Sequence, residues 1–131
     1  MSPLRTIVTA LCLAFCPFAQ AADDTIVTAL MSKELGDIAG KEVLMLVVEY
    51  PPGGADPVHR HDAHGFIYVL EGTVVMGVAG GEEVILKPGQ SFYEGPGDVH
   101  SVGRNASATE PAKFLVLLLK NTGVEPVLPA H

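Results

Sequence analysis

The chain has 131 residues, which allows one domain, and 48% of them are hydrophobic. Its formal net charge is −7 with histidine neutral, because 15 acidic residues outnumber 8 basic ones. The lysines and arginines are scattered singly, without a basic stripe, and this pattern argues against binding to nucleic acid or to an anionic membrane surface.

The N-terminal segment has the three parts of a secretory signal peptide. Arg5 is its one basic residue, the run 6–19 is apolar, and Ala19-Gln20-Ala21 offers the small residues that a signal peptidase recognises. The apolar run is shorter than the roughly 20 residues that a membrane-spanning helix needs. We therefore predict a leader over residues 1–21, cleavage after Ala21 or Ala22, and a mature protein that is periplasmic or secreted and free of the membrane.

Both cysteines, Cys12 and Cys16, lie inside this leader. Lipid attachment at Cys16 is the alternative, but Phe15 is bulkier than the small residue expected before a lipidated cysteine. The mature chain then has no cysteine and forms no disulfide, although disulfides persist in oxidising compartments. Its stability is expected to come from the core, with help from a bound metal and from dimerisation.

Residues 22–131 are predicted to form a single all-β domain. Glycine and proline divide this segment into short runs rich in valine, leucine, isoleucine, phenylalanine and tyrosine. The runs are 42–50, 66–70, 73–79, 83–86, 91–93, 99–102 and 113–120, and a further strand is expected near 25–30. Short β-prone runs with turn signals every roughly 8–12 residues are typical of a sandwich or barrel. No segment has clear helical periodicity, although 32–39 can form a helical turn.

Two of these runs, 43–48 and 114–119, are apolar at every position. A strand with one face in water alternates apolar and polar residues, so continuous apolarity indicates that both faces are covered. Either a second sheet of the same chain covers the outer face, or the outer face forms a homodimer interface, and the sequence leaves both open. The tail 125–131 contains two prolines and is predicted to be a loose extension, with His131 not a ligand.

Three histidines are the candidate metal ligands. His59 and His61 form an H-x-H pair, and residues i and i+2 of an extended chain point to the same side. His100 starts a later predicted strand, which folding can bring to the same place. Three imidazoles can bind one divalent transition metal ion, such as Fe, Mn, Zn, Cu or Ni. Spacing alone does not exclude surface histidines that bind nothing.

Two longer motifs around these histidines resemble the cupin family. The first runs from Gly53 through His59-Arg60-His61 to Tyr68-Val69-Leu70-Glu71-Gly72, and the second runs from Gly89 through Gly95-Pro96-Gly97-Asp98-Val99-His100 to Asn105. The resemblance covers about residues 43–119. It implies a single small antiparallel β-barrel or jelly roll that holds a metal inside with ligands from both motifs.

The chain departs from the cupin pattern at the carboxylate ligand. The positions where that family usually has a glutamate hold Gly65 and Phe66, and in the second motif Gly95 stands where proline is usual. His64, one residue before the usual position, can replace the glutamate if the chain there is a loop. Asp62 is a second candidate. A third possibility is that no residue replaces it and water takes the open positions, and a fourth is a site without metal.

The missing glutamate has consequences for the chemistry of the site. Three neutral imidazoles leave a bound ion its full charge, so it is expected to be a strong Lewis acid that lowers the pKa of bound water. Tyr93 and Glu94 precede the turn that presents His100, and we expect Tyr93 to donate a proton and Glu94 to orient a ligand or act as general base. The alternative is a packed tyrosine and a solvated acid.

The resemblance implies two classes of function. Cupins with three-histidine sites include iron dioxygenases, so we expect an exported, homodimeric metal-binding cupin that acts on a small molecule as a dioxygenase or isomerase. The alternative is a non-catalytic module that binds a metal or a small ligand, and a structural barrel with vestigial histidines is a third possibility. The sequence does not decide whether the protein is an enzyme, because cupins host many activities.

Overall fold

The computed structural model describes residues 25–131, and this part of the chain contains ten strands and no helix. The predicted leader, with both cysteines, lies outside the described residues. The strands are β1 (Ile26–Glu34), β2 (Lys41–Tyr50), β3 (His59–Arg60), β4 (Ala63–Glu71), β5 (Val74–Val78), β6 (Val84–Leu86), β7 (Ser91–Glu94), β8 (Val99–Asn105), β9 (Ala112–Asn121) and β10 (Leu128–Pro129). Over residues 25–131, nothing helical is long and apolar enough to cross a membrane.

The strands form two five-stranded antiparallel sheets. Sheet 1 has the order β1-β2-β9-β4-β7, and sheet 2 has the order β10-β3-β8-β5-β6. This arrangement confirms the predicted all-β jelly roll. The two sheets pack on each other without closing into one continuous barrel, because no strand pair joins an edge of sheet 1 to an edge of sheet 2 within residues 25–131. The predicted barrel closure is corrected in that respect.

Period-two alternation places the core between the sheets. In β9, Phe114, Val116 and Leu118 point inward and are buried, and in β4 the inward residues Ile67 and Val69 meet them. Each of these side chains contributes about 1.5–3 kcal/mol by leaving water. Sheet 2 closes the core from the other side with valine, methionine and leucine side chains of β5 and β6.

One glycine explains how β4 turns into β5. Gly72 has φ of +72°, a left-handed conformation that glycine adopts without strain. A Cβ atom added there would lie 2.5 Å from the carbonyl oxygen of Pro111 and 2.8 Å from Cα of Ala112. The turn therefore packs directly on the start of β9, and no larger residue fits.

The outer face of sheet 1 is not covered by the chain itself. Leu115, Leu117 and Leu119 of β9 point outward and are half-buried, and Phe66 of β4 is 49% exposed. Residues 43–48 and 114–119 are therefore apolar on both faces of their strands, and the two faces have different neighbours. The inner face packs against sheet 2, whereas the outer face has no second sheet over it in the described residues.

The predicted loose tail is paired with the first histidine motif, and this corrects the sequence-based expectation. In the ladder between β10 and β3, Leu128 pairs with Arg60 and Pro129 pairs with His59. The side chain of Arg60 also donates Nε–H to the carbonyl oxygen of Pro129 over 3.1 Å. Strands of two residues carry no periodic signal, so only their pairing across the fold reveals them.

Candidate metal centre

The three candidate histidines converge on one buried position. His59 lies in β3 directly opposite His100 of β8, and His61 follows two residues after His59. All three side chains are buried, and one ring nitrogen from each lies within 4.8 Å of the other two. The ladder between β3 and β8 explains the convergence, because it makes His59 and His100 cross-strand neighbours.

Two backbone carbonyls orient the rings of the H-x-H pair. His59 donates Nδ1–H to the carbonyl oxygen of Pro57 over 2.7 Å, and His61 donates Nδ1–H to that of Pro126 over 2.5 Å. A carbonyl only accepts, so each neutral ring carries its proton on Nδ1 and presents a lone pair on Nε2. This is how metal-ligating histidines are usually held.

The two free Nε2 atoms lie 3.1 Å apart. Two nitrogens about 2.1 Å from one ion, at angles of roughly 90–109°, are separated by about 3.0–3.4 Å. Without a proton or a cation between them, two lone pairs at this distance repel each other. The geometry of His59 and His61 therefore fits two ligands of the same metal ion.

His100 has ring nitrogens that the described protein leaves unsatisfied. Both Nδ1 and Nε2 are buried, and within residues 25–131 neither has a partner in hydrogen-bond geometry. Nδ1 lies 2.9 Å from Oε2 of Glu94, but off the direction of a hydrogen bond. Buried polar atoms without partners are uncommon in proteins, and a metal ion would satisfy one of them.

Glu94 of β7 completes the polar cluster. Its side chain is 3% exposed, and its Oε1 lies 3.2 Å from Nε2 of His61. Burial opposes ionisation of this carboxyl, but the contact with His100 and the neighbouring histidine charges outweigh burial and lower the pKa of Glu94. Burial likewise favours neutral His100, yet Glu94 raises the pKa of that ring. Burial is the main reason why the pKa of His61 is lowered.

Glu94 lies directly across the β4–β7 ladder from Gly65. A Cβ atom added to Gly65 would lie 2.9 Å from Cγ and 3.1 Å from Oε1 of Glu94. The space beside Gly65, one of the two positions where the sequence motif lacks its glutamate, is therefore filled by a glutamate from the neighbouring strand. The sequence pattern placed Glu94 near the site, but only the strand register shows that it faces Gly65.

Two predicted site residues lie on the outer face of sheet 1. His64 is exposed, and its Nδ1 forms a hydrogen bond of 2.7 Å with Oη of Tyr93, which is 50% exposed. The structure does not bring either residue to the three histidines, which corrects the expectations that His64 replaces the glutamate and that Tyr93 donates a proton there. Residue 64 is already part of regular β4, so its side chain alternates away from Gly65. Asp62 is exposed as well.

A cavity of about 130 Å³ adjoins the histidines. Its wall is apolar and consists of Leu46, Val48, Ile67, Phe114 and Val116, and its polar end holds Asp56, Glu94 and the three histidines. The exposed lining residues Val27 and Val127 mark the mouth. An apolar cavity of roughly 150 Å³ holds a molecule as large as benzene, so this space suits a small ligand.

Sequence reasoning missed a partly buried pair beside His100. The hydroxyl of Tyr50 donates to Oδ2 of Asp56 over 2.5 Å. Burial, followed by the Asp56 carboxylate, raises the pKa of Tyr50 above its usual range. A Cβ atom added to Gly103 would lie 2.8 Å from Nε2 of His100 and 2.9 Å from Oη of Tyr50, so the glycine leaves room for both. The pair gave no sequence signal because Tyr50 lies outside both motifs and Asp56 is one of the unspecified positions between Gly53 and His59.

Comparison with known proteins agrees with this architecture. A sequence profile described as "Cupin domain" matches residues 46–118. TT1209 from Thermus thermophilus is 31% identical, with a TM-score of 0.60, and the match covers 74% of this chain and 84% of that one. The cupin domain bp2299 from Bordetella pertussis Tohama I is 22% identical, with a TM-score of 0.60, over 77% of this chain and 98% of that one.

A longer protein shares the same fold. The DMSP lyase DddQ from Ruegeria pomeroyi DSS-3 is 24% identical, with a TM-score of 0.65 over 81% of this chain, which spans only 52% of DddQ. No protein of curated function matches the sequence. The profile match covers more than half of the chain, and the two motifs, the jelly roll and the converging histidines agree with it. The chain therefore belongs to the cupin family.

Proposed function

We propose that the mature protein is an exported cupin that binds a divalent transition metal through His59, His61 and His100 and acts on a small molecule there. The observation that supports this most directly is the 3.1 Å separation of two Nε2 atoms whose rings are both oriented by backbone carbonyls. The unpartnered ring of His100 provides the third ligand. The leader over residues 1–21 supports export to the periplasm or beyond.

The residues around the cavity support a reaction of dioxygenase or isomerase type. A bound ion would supply Lewis acidity. Phe114, Val116 and their apolar neighbours exclude water, which strengthens electrostatic interactions at the polar end. Asp56 lines the same cavity and is oriented by the Tyr50 hydroxyl, so we propose Asp56 as the acceptor of a substrate proton.

The fold relatives indicate neither the size nor the identity of the substrate. DddQ is named as a DMSP lyase, and the similar RemF from Streptomyces resistomycificus is named as a polyketide cyclase, with 24% identity and a TM-score of 0.57. At this identity the likeness shows the fold alone. The cavity of about 130 Å³ supports a compact small-molecule substrate that enters between Val27 and Val127.

A non-catalytic binding module is the second candidate. The cavity wall is almost entirely apolar, and the only acids that line it are Asp56 and Glu94 among the described residues. Such a pocket can hold a small apolar ligand or keep a metal without turnover. The identity of the resident metal separates the two candidates, because redox-active ions favour oxygenase chemistry.

We further propose that the mature chain forms a homodimer through the outer face of sheet 1. Phe66, Leu117 and Met45 are cross-strand neighbours on that face, and Tyr93 continues the row. Phe66 and Tyr93 are 49% and 50% exposed, and large contiguous apolar patches are unusual on the surface of a monomer. A second copy of the same face would cover it with matching apolar side chains around a two-fold axis.

The test is elemental analysis of mature protein isolated from the export compartment of its own host without a tag or chelator. About one iron, manganese or copper per chain supports the oxygenase, whereas zinc favours a hydrolytic or structural role. The matched variant replaces His59 and His61 with alanine. It should lose the metal and keep the fold, since the inward residues of β2 and β9 are unchanged. Wild-type protein without metal, or unchanged metal content in the variant, contradicts the proposal.

A further inference from the structure

We infer that Glu94 is a fourth protein ligand of the metal, which supplies from β7 the carboxylate that the chain lacks after its H-x-H motif. This inference rests on the proposed metal site and goes further, because it assigns a ligand from a different strand. Three observations lead to it. Both Glu94 oxygens contact histidines, His61 has only Nε2 left for the metal because its Nδ1 bonds to a carbonyl, and the space at Gly65 accommodates the Glu94 side chain.

The Glu94 carboxylate lies at ligand spacing from His61 and His100. Oε1 is 3.2 Å from Nε2 of His61, and Oε2 is 2.9 Å from Nδ1 of His100. These distances match the 3.1 Å between Nε2 of His59 and Nε2 of His61. Ligand atoms of one first-row metal ion are separated by about 3.0–3.4 Å when they lie on adjacent positions. Glu94 therefore has ligand spacing to two of the three histidines.

The contact with His61 distinguishes a ligand from an outer-shell residue. An outer-shell carboxylate accepts the proton of the ring nitrogen that does not bind the metal. In His61 that nitrogen is Nδ1, and it already donates to the carbonyl of Pro126. Glu94 instead contacts Nε2, the nitrogen that remains for the metal. A carboxylate on that side of the ring can bind the same ion as Nε2.

The local packing shows that Glu94 is fitted to Gly65. The two residues are paired in the β4–β7 ladder, and Cγ of Glu94 lies only 2.9 Å from the position where any other residue at 65 would place its Cβ. The chain thus keeps a carboxylate in the site and moves its origin to the adjacent strand. Among the described residues, only His61 and His100 lie within ion-pair distance of the carboxylate, so an ion is the natural counter-charge.

This assignment changes the expected chemistry of the site. Three neutral imidazoles leave the whole charge of a divalent ion uncompensated, whereas Glu94 cancels part of it. We therefore expect a weaker Lewis acid than the three-histidine interpretation predicts. A six-coordinate ion keeps two positions for water or a small ligand.

The test compares Co²⁺ affinity, by chelator competition, in metal-free wild-type protein and in the Glu94→Gln variant. Glutamine keeps the shape of the side chain and removes its charge. We expect the affinity to fall by more than about 100-fold, beyond the roughly 10- to 100-fold that outer-shell substitutions cost, with an altered visible spectrum of bound Co²⁺. Asp62→Asn, which removes an exposed carboxylate beside the same motif, is the control and should change neither quantity.

Two glycine variants test the assignment with Glu94 in place. Gly65→Ala would press on Cγ and Oε1 of Glu94 and should weaken Co²⁺ binding, whereas Gly77→Ala should not, because its nearest neighbour is an ordinary contact at 3.5 Å.

The double variant Gly65→Glu with Glu94→Ala returns the carboxylate to β4 and should recover affinity to within about 10-fold of wild type. Recovery would show that the site needs a carboxylate at this place.

The outcomes separate this inference from the proposed function. If wild-type protein binds no Co²⁺, both are wrong. If wild type binds Co²⁺ and Glu94→Gln binds it within about 100-fold, or with an unchanged spectrum, Glu94 is not a ligand and only its assignment is wrong. Thermal unfolding of the metal-free variants shows whether they are folded before affinities are compared.

Discussion

His61 donates Nδ1–H to the backbone carbonyl of Pro126, a residue 65 positions further along the chain. The C-terminal tail thereby fixes the tautomer and the orientation of a candidate metal ligand. Val127, the next residue, lines the mouth of the cavity, and β10 follows in register with β3. The tail is thus part of the metal site although it contributes no ligand side chain.

Truncation after Glu125 tests this relationship. It removes the Pro126 carbonyl and β10, so His61 can rotate or change tautomer, and we expect metal affinity to fall by about 10- to 100-fold. Chelator competition with Co²⁺ measures the change. Truncation after Pro129, which removes only Ala130 and His131, is the control and should bind like wild type. Equal affinity in both truncated proteins would show that the tail does not hold His61.

The outward position of His64 predicts that it is dispensable for metal binding. The His64→Ala variant should retain the metal content of wild type, because this side chain pairs with Tyr93 on the opposite face of sheet 1. His100→Ala is the matched comparison and should lose the metal. Elemental analysis per chain gives both values. Metal loss in His64→Ala would mean that β4 is shifted by one residue from the register found here.

The raised pKa of Tyr50 leads to a prediction of how folding stability depends on pH in the alkaline range. Its raised pKa keeps the hydroxyl protonated in the folded state, whereas the unfolded chain ionises it near the ordinary value of 10.0. Unfolding therefore releases this proton above pH 10, and folding stability falls as pH rises, by up to about 1.4 kcal/mol per pH unit. Tyr68→Phe with Tyr93→Phe leaves Tyr50 as the only tyrosine of the described chain.

Ultraviolet absorbance of that double variant measures the ionisation directly. We expect no tyrosinate signal until the protein unfolds, with both transitions at the same pH when circular dichroism is followed in parallel. A reversible tyrosinate signal near pH 10 in folded protein would show that Tyr50 is accessible to solvent. Tyr50→Phe should remove this part of the alkaline destabilisation.

The proposed dimer can be tested on the outer face of sheet 1. Phe66→Lys introduces a charge next to Leu117 and Tyr93, and burying an unpaired lysine in an apolar interface is unfavourable. We expect the variant to be monomeric in size-exclusion chromatography with light scattering, with its metal retained. Ile85→Lys, an exposed apolar position on sheet 2, is the control and should remain dimeric. A monomeric wild-type protein would refute the proposal.

Much of the fold follows from local patterns in the sequence. Short runs bounded by glycine and proline predicted seven of the ten strands, the strand expected near 25–30 is β1, and the family resemblance indicated the jelly roll. The convergence of His59 and His61 follows from the two-residue period of an extended chain. β3 and β10 could not be predicted, because two residues show no period and their pairing depends on the folded chain.

The sequence by itself determined that this protein is an all-β cupin with an H-x-H pair and a distant histidine, because alternation, turns and motif spacing are properties of neighbouring residues. Only the tertiary structure decided which carboxylate faces the histidines. A shift of one residue along a strand reverses the face, and this separates His64 from the site, whereas the β4–β7 register brings Glu94 across Gly65. Such relationships join residues far apart in the chain, so they arise only when the sheets form.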